Sequence, residues 1–136
     1  MPLTHHQASW WRLAGEYAGP VHYPGQLVQP EDLESYPEAV REKIQDNNGV
    51  YNREKLESLL GEPLEKRKET GLSLYCGEWG CLSTVPQEDR LQWYRDVRSI
   101  FESRDIPWTT WDYKGGFGII ENGEINEALV EVLLNE

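Results

Sequence analysis

Two residues stand where chemistry could be done. Glu78 lies in the stretch Gly71-Leu-Ser-Leu-Tyr-Cys-Gly-Glu-Trp-Gly-Cys81, held between Gly77 and Gly80 at the end of a short apolar run. Trp111 closes a second run, Asp105-Ile-Pro-Trp-Thr-Thr-Trp111, which leads into the glycine-rich Asp112-Tyr-Lys-Gly-Gly-Phe-Gly118. A carboxylate beside an indole face is what a sugar site needs. The apolar face of a pyranose stacks on the ring, and the acid group does the chemistry.

The elements around these residues must bring them together. The first run is too short for a stable helix, and its glycines are strand punctuation, so it reads as a buried strand that delivers Glu78 to a rim. Alternation puts Glu78, Cys76, Leu74 and Leu72 on one face and Tyr75 and Ser73 on the other. In the second strand Trp111, Thr109 and Pro107 share a face, which turns Trp108 to the core. Between the two, Pro86 opens a helix whose apolar positions Trp93, Tyr94, Val97, Ile100 and Phe101 recur at helical spacing and are expected to pack rather than to bind. Strand, helix, strand in succession implies a parallel pair joined by a right-handed crossover, with Glu78 and Trp111 at the same end.

Upstream, residues 1–30 lack sustained periodicity and carry all three histidines. They read as a long excursion outside the core, of the kind that is often functional. A helix is predicted from Pro37, broken by Asp46-Asn-Asn-Gly49. Another follows Asn52 as N-cap, with Leu56, Leu59 and Leu60 as its stripe. Gly61-Glu-Pro63 interrupts it before Leu64 to Thr70 resumes, and Ile125, Leu129, Val132 and Leu133 mark a closing amphipathic helix.

The totals narrow the function classes. With 13 basic and 24 acidic residues among 136, the net charge of −11 repels nucleic acid and anionic membrane surfaces alike. Six Trp and seven Tyr against two Phe favour aromatics with polar edges, which suit a wet and partly apolar ligand such as carbohydrate. Cys76 and Cys81 bracket the Glu78 turn; they could pair if the loop folds back, with two reduced thiols as the default. No metal site and no cofactor are expected, because the cysteines and Glu78 offer too few ligands. No apolar stretch of membrane-spanning length and no leader is present.

The segments Leu3-Thr-His-His-Gln-Ala-Ser-Trp-Trp11, Val21-His-Tyr-Pro-Gly-Gln26, Leu74-Tyr-Cys-Gly-Glu-Trp-Gly80 and Trp108-Thr-Thr-Trp-Asp-Tyr-Lys-Gly-Gly-Phe-Gly118 resemble, in this order, the later part of glycoside hydrolase family 5, the cellulase branch. The resemblance implies an α/β fold, the C-terminal part of a (β/α)8 TIM barrel. It implies that Glu78 ends the seventh strand as the nucleophile of a retaining glycosidase, and that Trp111 ends the eighth as the platform under the sugar. A cis peptide after Trp111 is implied as well. His5, Trp10, Trp79 and Lys114 become further substrate contacts, although the chain departs from the family pattern at Leu3, His6 and Gln7. The substrate would be a β-glucan or cello-oligosaccharide, cleaved by an endo-β-1,4-glucanase.

By the same resemblance the chain is incomplete. A barrel of this type needs roughly 250 residues, and this chain reaches back only to the loop after the sixth strand. Residues 1–50 would form a cleft wall, and 51–136 the run helix, strand, helix, strand, helix. Met1 falls where the family would still be mid-chain. The strand whose Asn-Glu pair supplies the acid/base is absent, and Asn126-Glu127 and Asn135-Glu136 both fall in the last helical pattern. Three readings follow: a portion of an endoglucanase, inactive alone; one part of a split or oligomeric barrel; or a non-catalytic carbohydrate-binding fragment. Unpaired strands should make the first kind of chain self-associate.

Overall fold

The computed structural model describes residue 17 and residues 19–134. His5, Trp10 and the Asn135-Glu136 pair lie outside the described residues. The architecture is α/β. Strand β1 (Gly25–Gln26) is followed by a 3-10 turn (Pro30–Leu33), helix α1 (Glu38–Asn47), β2 (Val50–Tyr51), and helices α2 (Arg53–Ser58) and α3 (Gly61–Thr70). Then come β3 (Cys76–Trp79), the long helix α4 (Gln87–Ser103), β4 (Trp108–Thr110), the hairpin β5 (Ile120–Glu121) and β6 (Glu124–Ile125), and α5 (Glu127–Leu134). The expected parallel pair is present: β3 runs beside β4, with α4 as the crossover.

Local chemistry explains the helix ends. Asn52 Oδ1 accepts from the Lys55 amide at 2.8 Å and starts α2. Gly71 closes α3 in the left-handed region, at φ 68°, where a side chain is disfavoured. Asn126 Oδ1 accepts from the Leu129 amide at 3.0 Å and opens α5. The core lies on one side of the β3–β4 pair, where Trp79, Trp93, Tyr94, Ile100 and Phe101 are buried and Leu129, Val132 and Leu133 of α5 close over α4. Arg98 of α4 ties this layer together, donating to the Val132 carbonyl at 2.8 Å. The five apolar positions of α4 are thus packing residues, as their spacing indicated.

Four expectations need correcting. The first strand is not buried along its length: only Cys76–Trp79 pairs, and Leu72 and Tyr75 are 69% and 63% exposed, because among the described residues β3 has a ladder partner on one side only. The excursion is not outside the core: Tyr23, Leu27 and Val28 are buried, and β1 pairs antiparallel with β2. That segment is pinned by polar contacts. His22 sits between Asp32 (3.0 Å) and Asp89 (3.5 Å), the Tyr23 hydroxyl donates to Asp96 at 2.5 Å, and the Asn48 amide exchanges two hydrogen bonds with the Val28 backbone. Ile125 belongs to β6 and is exposed, not part of the closing helix. The β5–β6 hairpin was not anticipated, although Asn122-Gly123, both at positive φ, is the dipeptide that such a two-residue turn requires.

Candidate active site

Glu78 reaches its position through a bulge. In the register of the parallel pair Cys76 lies opposite Trp108 and Trp79 opposite Thr110, so three steps of β3 match two of β4. Cys76 and Leu74 pack against the core and Trp79 is 1% exposed, so Gly77 and Glu78 absorb the extra residue. Simple alternation placed Glu78 on the face of Cys76 and Leu74. The bulge takes it off that face, and Glu78 is exposed at the strand end. On the side away from the helices, the Tyr75 hydroxyl hydrogen-bonds to Thr109 of β4. That side carries Tyr75, Thr109 and, beyond the strand end, Trp111.

Strand β4 alternates without interruption. Trp108 is partly buried, edge-on to Trp79 at 5.1 Å between ring centroids, while Pro107, Thr109 and Trp111 are exposed. The Trp111 amide donates to the Trp79 carbonyl at 2.7 Å, and the Thr110 hydroxyl to the same oxygen at 3.3 Å. Trp111 is 50% exposed, so half of its surface remains open to solvent. The peptide bond after Trp111 is cis, as the resemblance implied.

Gly80 makes the close approach of the two strand ends feasible. A Cβ there would collide with the Trp111 carbonyl oxygen and press on Phe117 Cβ at 3.4 Å. Below this junction lies Arg90 of α4, 1% exposed. Its Nε donates to the Cys81 carbonyl at 3.1 Å, its Nη2 to the Phe117 and Gly118 carbonyls at 3.2 Å each, and its Nη1 to Glu121. Tyr94 assists: its hydroxyl accepts from the Cys81 amide at 3.0 Å and donates to the Phe117 carbonyl at 3.5 Å. The loops also meet directly, the Ser83 amide donating to Gly116 at 2.8 Å.

Three ionisable groups here are perturbed, among them the Tyr94 hydroxyl, which burial raises. Burial pushes the Cys81 thiol up to about 12, which leaves it protonated and unreactive at neutral pH. Burial also raises the Glu121 carboxyl, but hydrogen bonds from Arg90 and Asn126 and the Arg90 charge outweigh it and hold Glu121 below its ordinary value. Cys76 and Cys81 form no disulfide. Among the described residues no group of three or more His, Cys, Asp or Glu is placed to hold a metal ion, and no helix is long and apolar enough to cross a membrane.

The sequence-derived site residues therefore divide. Glu78 and Trp111 come to one end of one parallel pair. Trp79 does not face that cleft: the bulge turns its ring into the core against Trp93, Tyr94, Phe101 and Trp108. Lys114 is exposed and lines a cleft of about 380 Å³ together with Ser83, Glu121 and Asn122 on the hairpin side. Asn126, expected within the last helical pattern, caps that helix. Arg90 was missed, yet it left a signal: at three, four, seven and eleven residues before Trp93, Tyr94, Val97 and Phe101 it is a cation on an apolar stripe.

Known proteins were compared against this geometry. No protein-family model matches the chain. It is 33% identical to Endoglucanase C of Acetivibrio thermocellus over 96% of its own length and 39% of that protein, and 27% identical to Endoglucanase 3 of Fibrobacter succinogenes over 96% and 21%. The chain thus spans about two fifths of the length of the endoglucanases that it matches at 33% identity. Among solved structures, a glycoside hydrolase aligns at TM-score 0.63 and 25% identity, covering 96% of this chain and 36% of that one. An endoglucanase from Thermotoga maritima aligns at TM-score 0.57 and 22% identity over 74% and 34%, a likeness of fold. The chain is similar to endoglucanases, which are glycoside hydrolases, along nearly all of its length.

Proposed function

We propose that this chain carries the nucleophile half of a retaining β-glucanase site of the glycoside hydrolase family 5 type, on the last two strands of a (β/α)8 barrel. Glu78 is the nucleophile and Trp111 the platform beneath the sugar. His5 and Trp10 are proposed as cleft-wall contacts and Lys114 as a contact to substrate hydroxyls, while Trp79 supports the site from beneath. The observation that carries this reading is the parallel β3–β4 pair, which sets an exposed carboxylate and a half-exposed indole at one strand end. Similarity to Endoglucanase C over 96% of the chain supports the same reading.

Retaining hydrolysis needs two carboxyl groups roughly 5–5.5 Å apart. The ionised one attacks the anomeric carbon, and the other protonates the leaving oxygen and later activates water. Asn126-Glu127 begins α5 and is not offered as the second group; the resemblance puts the acid/base on a strand missing from this chain, so the chain alone is expected to be inert on unactivated glucans. A second reading, in which another polypeptide completes the site, is favoured by the exposed apolar side chains Leu72, Tyr75 and Tyr113 on and beside the parallel pair.

The test uses a cellobioside with a dinitrophenyl leaving group and a fluorine beside the anomeric carbon. A Glu78 carboxylate oxygen bonds to that carbon as its bond to the aryl oxygen breaks. Dinitrophenolate leaves with the electron pair, and no acid is required. Intact mass should rise by one fluorocellobiosyl group on Glu78, with none on Glu78→Gln. A folded wild-type chain that forms no adduct, or forms it on another residue, would sink the proposal.

A further inference from the structure

The Arg90 guanidinium contacts both loops that leave the candidate site, and neither strand contains it. We infer that Arg90 is the positioning residue that sets Glu78 and Trp111 relative to each other; the roles of those two residues rest on the function proposed above. Glu78 lies in the bulge, where the regular ladder is interrupted, so pairing alone fixes it poorly. The chain is caught again at Cys81, whose carbonyl accepts from Arg90 and whose amide donates to Tyr94. Beyond Trp111 the chain is caught at Phe117 and Gly118, by the same guanidinium.

The fork geometry matters. Nε, Nη1 and Nη2 each bond to a different segment, and a buried guanidinium is rigid and always charged. The charge is matched by Glu121, which also accepts from Asn126 Nδ2 at 3.0 Å; Asn126 in turn pairs with Gln87 at the start of α4. The cation is therefore locked to the hairpin, to the first turn of its own helix and to the cap of α5. The Tyr94 ring lies 5.7 Å below the guanidinium carbon and limits its sideways movement. A lysine would keep the charge and lose the fork.

The experiment is amide hydrogen exchange on the full chain, wild type beside Arg90→Lys and Glu121→Gln, with the covalent trap run on the same samples. In Arg90→Lys the amides of Cys81 and Trp111 should exchange faster together, by about tenfold or more, while the Leu27 amide, bonded to Gly49 far from the clamp, stays unchanged. Glu121→Gln, which keeps the shape and loses the charge, should quicken the same two amides by less, and it carries the test if Arg90→Lys does not fold. Trapping at saturating probe should slow in parallel in both variants at temperatures well below their melts. Exchange that changes at one loop only, or at neither, overturns the inference. So does faster exchange at both loops with the trapping rate of wild type. If wild type traps nothing while both amides still respond together, the clamp stands and the proposed function falls.

Discussion

The two sides of the β3–β4 pair are finished to different degrees. On the helix side, Trp79, Trp93, Tyr94 and Phe101 meet at ring distances of 5.2–5.8 Å and are excluded from solvent. On the other side Tyr75 and Trp111 are at least half exposed, and the free edge of β3 has no strand beside it among the described residues. The helix side is closed by the described residues, and the side to which the proposed sugar chemistry is assigned is open.

The largest effect should come from breaking the finished side. Trp93→Ala removes a fully buried indole and should cost roughly 3–5 kcal/mol, enough to abolish the cooperative thermal transition of a marginal fold. Gly80→Ala tests the seam between the sides. Its methyl must displace the Trp111 carbonyl, so a loss of about 1–3 kcal/mol is expected, with a shift of the Trp111 indole resonance. A chain with Gly80→Ala and an unmoved Trp111 signal would show that the strand ends are not packed as described.

Acid sharpens the comparison. The folded Glu121 carboxyl lies below its ordinary value of 4.5, so its contribution is fully present above that value and is lost as pH falls through the folded pKa. Chemical denaturation should find Glu121→Gln less stable than wild type by about 1–3 kcal/mol at neutral pH, the scale of charge-assisted hydrogen bonds, and the gap should narrow below pH 4.5. The smallest effect belongs to the open side. Leu72→Ser with Tyr75→Ser should change stability by only about 0.5 kcal/mol, because neither ring nor branch is buried, yet should lower hydrophobic-dye binding and self-association.

The contrast between β3 and β4 shows what could be read from residue order. In β4 strict alternation from Pro107 to Trp111 gave the faces correctly, and the apolar stripe of α4 gave its buried residues. In β3 the same rule misassigned Glu78, because a single extra residue at Gly77 reverses the phase and no local pattern announces it. Trp79 was taken as a substrate contact from the resemblance alone, and its ring is buried in the core. Burial of Tyr23, Leu27 and Val28 depends on distant partners, Asp89 and Asp96 of α4 and the Asn48 amide, which periodicity cannot reveal. Arg90 and Asn122-Gly123, by contrast, carried legible signals.

The central claim, a positioned nucleophile without its acid, is tested most directly by comparing leaving groups. Dinitrophenyl cellobioside and cellotetraose would be incubated with the wild-type chain and with Glu78→Gln, both shown folded by their melts. The proposed function predicts dinitrophenolate release by wild type only, with cellotetraose left intact by both. Hydrolysis of cellotetraose by wild type, or equal dinitrophenolate release by Glu78→Gln, would contradict it.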